Sequence, residues 1–331
     1  MSMMKSALTA LALLGAVSAA HATDLVISND NNALGVKGQT FDLLAAEIKK
    51  RLGDGIDIQV HHSGALFDQK TQIQGLQLGS AHLIAPTSGI YAPMAPGVSA
   101  LTLPFLLSSP AQIGAALADP LVRTAFAPDF AKKNIVPVAV WMNGPRELAY
   151  RGDIPILTPA DIEGVKIRVQ NVPSDIAAMK AVGANVVSMS WGEVPGALQQ
   201  GVIDAVEPTA NALAGAGLIE IVDQLTKIAY QYSFYIVGAN KIWWDGLSDA
   251  ERTAVQQSLD VATAWNWENA DIENTAGYAK MAAAGKPVHE LTPAQRAAWA
   301  AAMKPVWTEF GSKLVGDDVM ARLRQIGGVA E

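Results

Sequence analysis

Arg168 is the residue of this 331-residue chain whose position most clearly suggests ligand chemistry. It lies in the segment 164–169, where apolar and charged residues alternate as in a strand with one buried face. Open α/β folds bind ligands at the carboxyl ends of their strands. Arg168 lies at the carboxyl end of this segment, just before a loop. A guanidinium there is suited to hold a carboxylate in a two-point contact. The alternative is an arginine paired with Asp161 or Glu163 at the surface.

Three more polar or aromatic residues follow predicted strands in the same way. Arg146 comes shortly after the strand 135–141, and Trp191 follows the strand 185–189. Glu207 ends a short strand. Taken singly, the tryptophan is compatible with a core position, and the glutamate with a place at a helix N-terminus. Four such groups at successive strand ends are expected to converge on one edge of an α/β lobe.

The elements that position these residues alternate between strand and helix patterns. Three segments have strand patterns, namely 24–28, 56–60 and 82–86. Thr40 is predicted to cap a helix over 40–52, between the first two strands. Strand, helix and strand open a parallel α/β unit. Asn29 and Thr87, directly after the first and third strands, complete the candidate ligand-binding set.

Ser248 begins the longest helical pattern in the chain. With Glu251 it has the spacing of a capping box, and no Pro or Gly interrupts the pattern before Gly277. The pattern resumes as far as Ala284. The residues up to Gly277 alone span about 43 Å at 1.5 Å per residue. A helix of that length is expected to brace two lobes.

Residues 1–22 have the three regions of a secretory signal peptide. A positive start with Lys5 precedes an apolar run at 7–17 and a small-residue site ending at Ala22. The apolar run is too short to cross a bilayer as a helix, which argues against an uncleaved anchor. We expect cleavage after Ala22 and export across the inner membrane into the periplasm.

The composition is that of a well-packed globular protein with an acidic surface. Half of the residues are hydrophobic, 17% are charged, and there is no cysteine, so packing alone must stabilise the fold. The net charge is −7, or −8 once Lys5 is removed with the signal peptide. Without a basic stripe, nucleic acid is not expected as a partner. A site for an anion must therefore be built from a few local cations.

Motifs for catalysis, metals and cofactors are missing from the sequence. Neither a Gly-rich phosphate loop nor a G-x-S-x-G elbow occurs, and there is no cysteine nucleophile. His61 and His62 are adjacent on a strand and so face opposite ways, which is poor geometry for a shared metal ion. No metal and no cofactor are expected, and an exported enzyme is kept as an alternative.

The same residues carry a family likeness. The chain resembles the periplasmic solute-binding proteins of tripartite ATP-independent (TRAP) transporters, the DctP-type family. The matching stretches cover nearly the whole mature chain in order: 63–66, 103–106, 141–146, 157–169, 183–185, 189–193, 197–207, 234–237 and 243–248. The run from 141 to 207 is the most specific, because unrelated α/β proteins do not reproduce its spacing.

The resemblance implies roles for three of the candidate residues. Arg168 is expected to make the main two-point contact with a substrate carboxylate, Arg146 to support it, and Trp191 to pack on the ligand. Two positions depart from the family pattern. Pro208 stands where many members have Asn, which puts the ligand contact of the preceding glutamate in doubt, and His82 replaces a common acid.

The resemblance also implies a two-lobed α/β periplasmic binding protein fold with a hinge and a long bracing helix. Lobe I is expected to comprise 23–144 and about 234–273, and lobe II 145–233 and about 274–331. A small organic acid is expected to bridge the lobes and favour their closed state. The closed protein then delivers the acid to the membrane permease subunits of a TRAP transporter and catalyses nothing.

Two further readings are kept open beside this one. The protein can instead serve an ABC importer or a receptor, or it can be an exported enzyme. The identity of the acid is left open among sugar acids, C4-dicarboxylates, 2-oxo or 2-hydroxy acids and aromatic acids. The oligomeric state is left open between monomer and dimer.

Overall fold

The computed structural model describes residues 23–329, so the predicted signal peptide lies outside the described residues. The β-strands are β1 Thr23–Ser28, β2 Ile56–His61, β3 Leu83–Ile84, β4 Ile135–Pro145, β5 Leu148–Tyr150, β6 Lys166–Val169, β7 Asn185–Ser188, β8 Ala205–Val206, β9 Gln224–Lys227, β10 Tyr232–Asn240 and β11 Val288–Glu290. The α-helices are α1 Val36–Leu52, α2 Gln72–Gln77, α3 Pro110–Ala118, α4 Pro120–Thr124, α5 Ala127–Lys132, α6 Pro173–Ala181, α7 Val194–Gln199, α8 Ala210–Gly215, α9 Lys241–Gly246, α10 Asp249–Ala283, α11 Pro293–Met303, α12 Lys313–Val315 and α13 Asp317–Gly327.

These strands form two separate sheets. The first has the order β2-β1-β3-β10-β4, with β1 parallel to β2 and β3 and with β10 antiparallel to its neighbours. The second has the order β11-β9-β5-β8-β6-β7, in which β6 is parallel to β7 and β8. The parallel strands bring their carboxyl ends to one edge of each sheet, and the loops that follow them carry most of the candidate residues.

The chain passes twice between the two sheets. Strand β4 of the first sheet leads within three residues into β5 of the second, and β9 of the second leads back into β10 of the first. The helix α10 packs on α1 and β4 beside the first sheet and on α8 beside the second. Its 35 residues span about 52 Å. The predicted bracing helix is therefore present, and its predicted Ser248 capping box is formed.

The C-terminal segment packs beside the first sheet. Helix α13 contacts α3 and α4, and Trp307 Nε1 donates a hydrogen bond to Pro104 O at 2.8 Å. Arg322 Nε donates to Asp119 Oδ2 at 2.6 Å. We therefore propose that lobe II ends before Trp307 and that 307–327 belong to lobe I, in place of the expected division with all of 274–331 in lobe II.

Helix α1 begins earlier than the sequence pattern suggested. Thr40 was expected at the N-cap, but it lies inside the helix, where its Oγ1 donates to Val36 O at 2.6 Å. The N-cap is Gly35. The prediction was wrong because a threonine hydroxyl can be satisfied by a carbonyl of the preceding turn as well as by a cap. The earlier start adds a turn that carries Lys37, which matters for the site below.

Gly277 lies in the last two turns of α10, where another backbone approaches it closely. A Cβ atom at Gly277 would lie 2.5 Å from Ala210 O at the start of α8. We expect Gly277→Ala to lower the free energy of unfolding by about 1–3 kcal/mol through this overlap. Urea denaturation measures it, with the exposed Thr275→Ala on the same helix as a control near zero. A gain of about 1 kcal/mol, as helix propensity alone predicts, would contradict this packing.

Glu147 joins the two crossing segments to the long helix. It is buried, and its carboxylate accepts hydrogen bonds from Ala229 N at 2.7 Å and from Tyr278 Oη at 2.6 Å. Ala229 lies in the second crossing segment with φ +44°, and Tyr278 lies on α10. Burial raises the pKa of Glu147 to about 7, against the ordinary 4.5, although both hydrogen bonds favour the ionised form.

This raised pKa predicts a pH dependence of stability. Between about pH 4.5 and 7 the folded protein holds a proton on Glu147 that the unfolded chain has lost, so the free energy of unfolding falls as the pH rises through that window. Between pH 5 and 8 the fall amounts to about 3 kcal/mol. Glu147→Gln is expected to remove this part of the fall in urea titrations at the two pH values. The exposed-site variant Glu163→Gln is the control. If the free energy of unfolding of Glu147→Gln falls between pH 5 and 8 as much as that of wild type and of the control, the prediction is wrong.

Candidate functional site

A small cavity lies between loops of the two sheets. Its wall includes Asp30 and Thr87, which follow β1 and β3 of the first sheet, and Gln170 and Glu207, which follow β6 and β8 of the second. The cavity offers about 30 Å³ to the centres of water molecules. Since one water needs about 10–15 Å³ by this measure, the enclosed space suits a small solute.

Arg168 lies on β6 at the wall of this cavity and is 2% exposed. Its Nε and Nη2 donate to Met189 O at 3.0 and 2.8 Å, and Nη2 also donates to Gln69 Oε1 at 2.9 Å. Burial lowers the pKa of Arg168 to about 10, because water no longer solvates the charge. Within residues 23–329 no acidic side chain forms an ion pair with it. The buried arginine therefore keeps an uncompensated charge and one free nitrogen, Nη1.

The surface alternative for Arg168 does not hold. Asp161 instead forms the capping box of a 3₁₀ turn, where its Oδ2 accepts a hydrogen bond from Thr158 N at 2.7 Å. Glu163 is exposed and lies beside Gly183. The arginine points to the cavity because β6 alternates, with Ile167 and Val169 directed to the core cluster on the opposite face.

Arg146 and Glu207 form a buried ion pair at the second side of the cavity. Arg146 Nη1 contacts both Glu207 Oε2 and Glu207 O, and Tyr230 Oη donates to Glu207 Oε2 at 2.9 Å. Burial disfavours the charged guanidinium, but the adjacent carboxylate raises the pKa of Arg146 above its ordinary value. Glu207 is fully buried, and its carboxylate is paired with Arg146. Arg146 Nε and Glu207 Oε1 have no hydrogen-bond partner among the described residues.

Lys37 and Asp30 form a second buried ion pair in the wall. The Lys37 ammonium contacts Asp30 Oδ1 and donates to Ala85 O at 3.2 Å, and it lies 4.5 Å from the ring centre of Tyr235. Burial lowers the pKa of Lys37, and the neighbouring Asp30 carboxylate opposes this. Two of the three cations at the cavity are thus neutralised by direct contacts.

Trp191 and Thr87 also line the cavity, as the sequence suggested. The Trp191 ring centre lies 5.4 Å from Arg168 Cζ. The ring is partly buried, lines the cavity and also packs against a core cluster beside the second sheet. Thr87 Oγ1 donates to Gln170 Oε1 at 2.7 Å, and Gln170 Nε2 donates to Asp175 Oδ2 at 2.7 Å. Burial raises the pKa of Asp175 to about 6.

Asn29 lies outside the cavity, contrary to expectation. Its Oδ1 accepts from Asn31 N at 3.1 Å and closes the turn, while its Nδ2 contacts His62 Nδ1 at 3.0 Å. The turn thereby directs the next residue, Asp30, to the cavity instead. The departure at His82 is also remote, because that ring stacks on Trp243 and its Nδ1 accepts from a backbone N–H of β1.

Two large aromatic residues of β4 and β10 belong to the cores. Trp141 is fully buried and packs edge-on against Phe41, and Phe234 is fully buried in the main core cluster. Neither lines the cavity. Among the described residues, the aromatic rings at the cavity are those of Trp191 and Tyr235.

The residues that sequence reasoning missed were Lys37, Gln69 and Gln170. A signal existed for the first, because Lys37 precedes Phe41 by one helical turn on the buried face of α1, where a lysine is unusual. Gln69 reaches Arg168 across 99 residues of sequence, and no local pattern marks it.

Residues 23–329 show neither a metal-binding cluster nor a membrane-spanning helix. No group of three His, Cys, Asp or Glu side chains in this part of the chain could hold a metal ion. None of its helices is both long enough and apolar enough to cross a membrane.

The chain is similar to known proteins over most of its length. A family model, DctP, described as "Bacterial extracellular solute-binding protein, family 7", matches residues 27–314. The C4-dicarboxylate-binding periplasmic protein DctP of Vibrio cholerae is 28% identical over 292 residues, which are 87% of this chain and 86% of that protein. The 2,3-diketo-L-gulonate-binding periplasmic protein YiaO of Escherichia coli is 30% identical over 215 residues, 65% of each chain.

A solved structure gives the corresponding match in three dimensions. The TRAP periplasmic solute-binding protein of Sulfurospirillum deleyianum, with bound succinate, aligns with a TM-score of 0.86 at 26% identity, covering 92% of this chain and 99% of that one. The predicted two-lobed fold and the predicted family are both confirmed. The chain belongs to the DctP family, family 7 of the bacterial extracellular solute-binding proteins.

Proposed function

We propose that this protein captures a small organic acid between its two lobes, with Arg168 as the group that holds the carboxylate. The observation that carries the proposal is the buried guanidinium at the cavity wall with no acidic partner among residues 23–329. A buried charge without a counter-ion is costly, so the site gains most from an anionic ligand. The relatives are named for carboxylates, which agrees with this chemistry.

The geometry at Arg168 specifies how the acid would bind. Nη1 is free to donate, whereas Nη2 already donates to Gln69 Oε1. A carboxylate oxygen that also accepts a hydrogen bond from Nη2 must displace the Gln69 amide, which lies in a loop beside the first sheet. Arg146 is neutralised by Glu207, so it can support the ligand only by donating hydrogen bonds from the guanidinium nitrogens that Glu207 does not occupy.

Polar contacts across the cleft support closure of the lobes around the acid. Besides Gln69–Arg168, the Thr87–Gln170 hydrogen bond joins loops of the two sheets. Ser190 Oγ donates to Asp68 Oδ2 at 3.0 Å beside them. A ligand that contacts both sides stabilises this closed state by its greater affinity for it. Glu147, at both crossing segments, lies where hinge motion would be absorbed.

The proposal extends to the place and partners of the protein. Cleavage after Ala22 would release the mature chain into the periplasm. The extracellular family and a relative named as periplasmic support this. The closed form would then deliver its acid to the membrane subunits of a TRAP transporter, as the TRAP-type structural relative suggests. The protein would return its ligand unchanged and catalyse no reaction.

A thermal-shift screen tests the carboxylate function. Mature protein, freed of bound ligand by unfolding and refolding, is mixed with sugar acids, dicarboxylates, 2-oxo and 2-hydroxy acids, aromatic acids and the matching amides. Binding to the folded state raises the melting temperature by mass action. At a ligand concentration of 100 times Kd, binding adds about 2.7 kcal/mol to the free energy of unfolding. We expect shifts with acids and none with their amides. Shifts only with neutral sugars, amino acids or metal ions would overturn the proposal.

The alternative functions give other results in follow-up experiments. An exported enzyme would convert the acid that binds, which mass spectrometry of the recovered ligand detects. A protein serving an ABC importer would restore uptake with ABC membrane subunits, whereas the TRAP role requires uptake driven by an ion gradient.

A further inference from the structure

The charges at the cavity are arranged for one negative charge on the ligand. Arg168 has no ion-pair partner among residues 23–329, whereas Arg146 contacts Glu207 and Lys37 contacts Asp30. Both ion pairs are nearly inaccessible to water, with side chains 6% exposed or less. A first carboxylate can therefore use Arg168, but a second finds the remaining cations already neutralised.

A second carboxylate would also lie beside the acids of those pairs. Asp30 and Glu207 both line the cavity, and Asp175 lies behind Gln170 as a further buried acid. Bringing a like charge next to buried carboxylates costs several kcal/mol, and the removal of water makes the repulsion stronger. Among the three cations, only Arg168 is not neutralised by a direct contact, so a second negative charge on the ligand meets no available cation.

The rest of the wall indicates what the remainder of the ligand carries instead. Neutral polar side chains line it, namely Thr87, Asn143, Gln170 and Thr209. Such side chains both donate and accept hydrogen bonds. A hydroxyl group on the ligand can also do both, whereas a carboxylate only accepts and a methyl group does neither.

Resting on the carboxylate-binding function proposed above, we propose that the cavity selects a small hydroxy monocarboxylate and rejects dicarboxylates of matching length. The inference distinguishes this chain from the relative named for C4-dicarboxylates, to which it is 28% identical. The space open to the centres of water molecules is about 30 Å³. A cavity of this size favours acids of three or four carbons.

Titration calorimetry with matched acids tests the selectivity on the wild-type protein. Glycerate and tartronate share a three-carbon skeleton and a hydroxyl, but tartronate has a second carboxylate. Succinamate and succinate differ only by an amide in place of a carboxylate, and propanoate lacks both hydroxyl groups of glycerate. We expect glycerate to bind at least tenfold more tightly than tartronate and propanoate, and succinamate at least tenfold more tightly than succinate.

Two variants test the cause of the selectivity. Glu207→Gln removes the charge that neutralises Arg146, and Asp30→Asn does the same for Lys37. Each is expected to raise the affinity for tartronate relative to glycerate by at least tenfold. The second variant tests the same argument at an independent ion pair if Glu207→Gln does not fold. An unchanged ratio in the folded variants would overturn the charge argument.

The outcomes separate this inference from the function on which it rests. If tartronate binds as tightly as glycerate or more tightly, or if succinate does so relative to succinamate, the inference is wrong. The protein then still binds carboxylates. If none of the five acids binds, the inference is also wrong, and the function is then decided by the wider acid panel. If no carboxylate of that panel binds, the proposed function itself fails.

Discussion

Arg168→Ala is expected to reduce the affinity for the carboxylate ligand by about 100-fold or more while the protein stays folded. Truncating one partner of a buried charge pair costs about 2–5 kcal/mol of binding, and each 1.4 kcal/mol is a factor of ten. The apoprotein should tolerate the change, because Arg168 contacts only Met189 O and Gln69 Oε1 among the described residues. Titration calorimetry with the strongest acid of the panel gives the affinity, and urea denaturation gives the stability.

A second arginine on the same lobe provides the matched control. Arg151 is exposed, and its Nη1 donates to Leu198 O at 2.9 Å, so it resembles Arg168 in having a carbonyl acceptor but lies outside the cavity. Arg151→Ala should leave the affinity within about twofold. If Arg168→Ala binds the acid as tightly as Arg151→Ala does, another cation holds the carboxylate.

Glu207→Ala is expected to have the largest effect on stability, a loss of about 3–5 kcal/mol in the free energy of unfolding. The substitution leaves Arg146 charged and buried without its counter-ion, and it removes the acceptor of the Tyr230 hydroxyl. Since Arg146 is 5% exposed, water cannot replace the lost carboxylate without local opening. Urea denaturation of the ligand-free protein measures the loss.

A half-exposed acid directly before β8 gives the comparison. Asp204 lies 3.6 Å from Lys166, and both side chains are about 40% exposed. Asp204→Ala is expected to cost less than about 1 kcal/mol, because water screens such pairs. A loss below 1 kcal/mol in Glu207→Ala as well would mean that the buried pair is not formed in solution.

The candidate residues that lie at the cavity wall are those marked by local pattern. Arg168 stands in an alternating strand, and Trp191 and Glu207 follow other strands, so each could be placed at a sheet edge from its neighbours alone. The long helix followed from a capping box and an uninterrupted pattern, and Gly277, its weak point, is explained by the approach of Ala210.

The contacts that define the chemistry of the cavity were not visible in the sequence. Arg146 and Glu207 are 61 residues apart, and Gln69 and Arg168 are 99 apart, so neither pairing leaves a local signal. The boundary of lobe II that we propose before Trp307 rests on the same kind of distant contact, that of Trp307 with Pro104. Asn29 was assigned from its position after a strand, although the direction of its side chain is set by the turn it closes.

The crystal structure of the mature protein with its strongest-binding acid tests the central claim most directly. We expect the acid in the cavity between the two sheets, with a carboxylate oxygen within about 2.7–3.2 Å of Arg168 Nη1. The Thr87–Gln170 contact across the cleft should be retained around it. An acid bound elsewhere, or a carboxylate in the cavity that leaves Arg168 in contact with only Met189 and Gln69, would contradict the account.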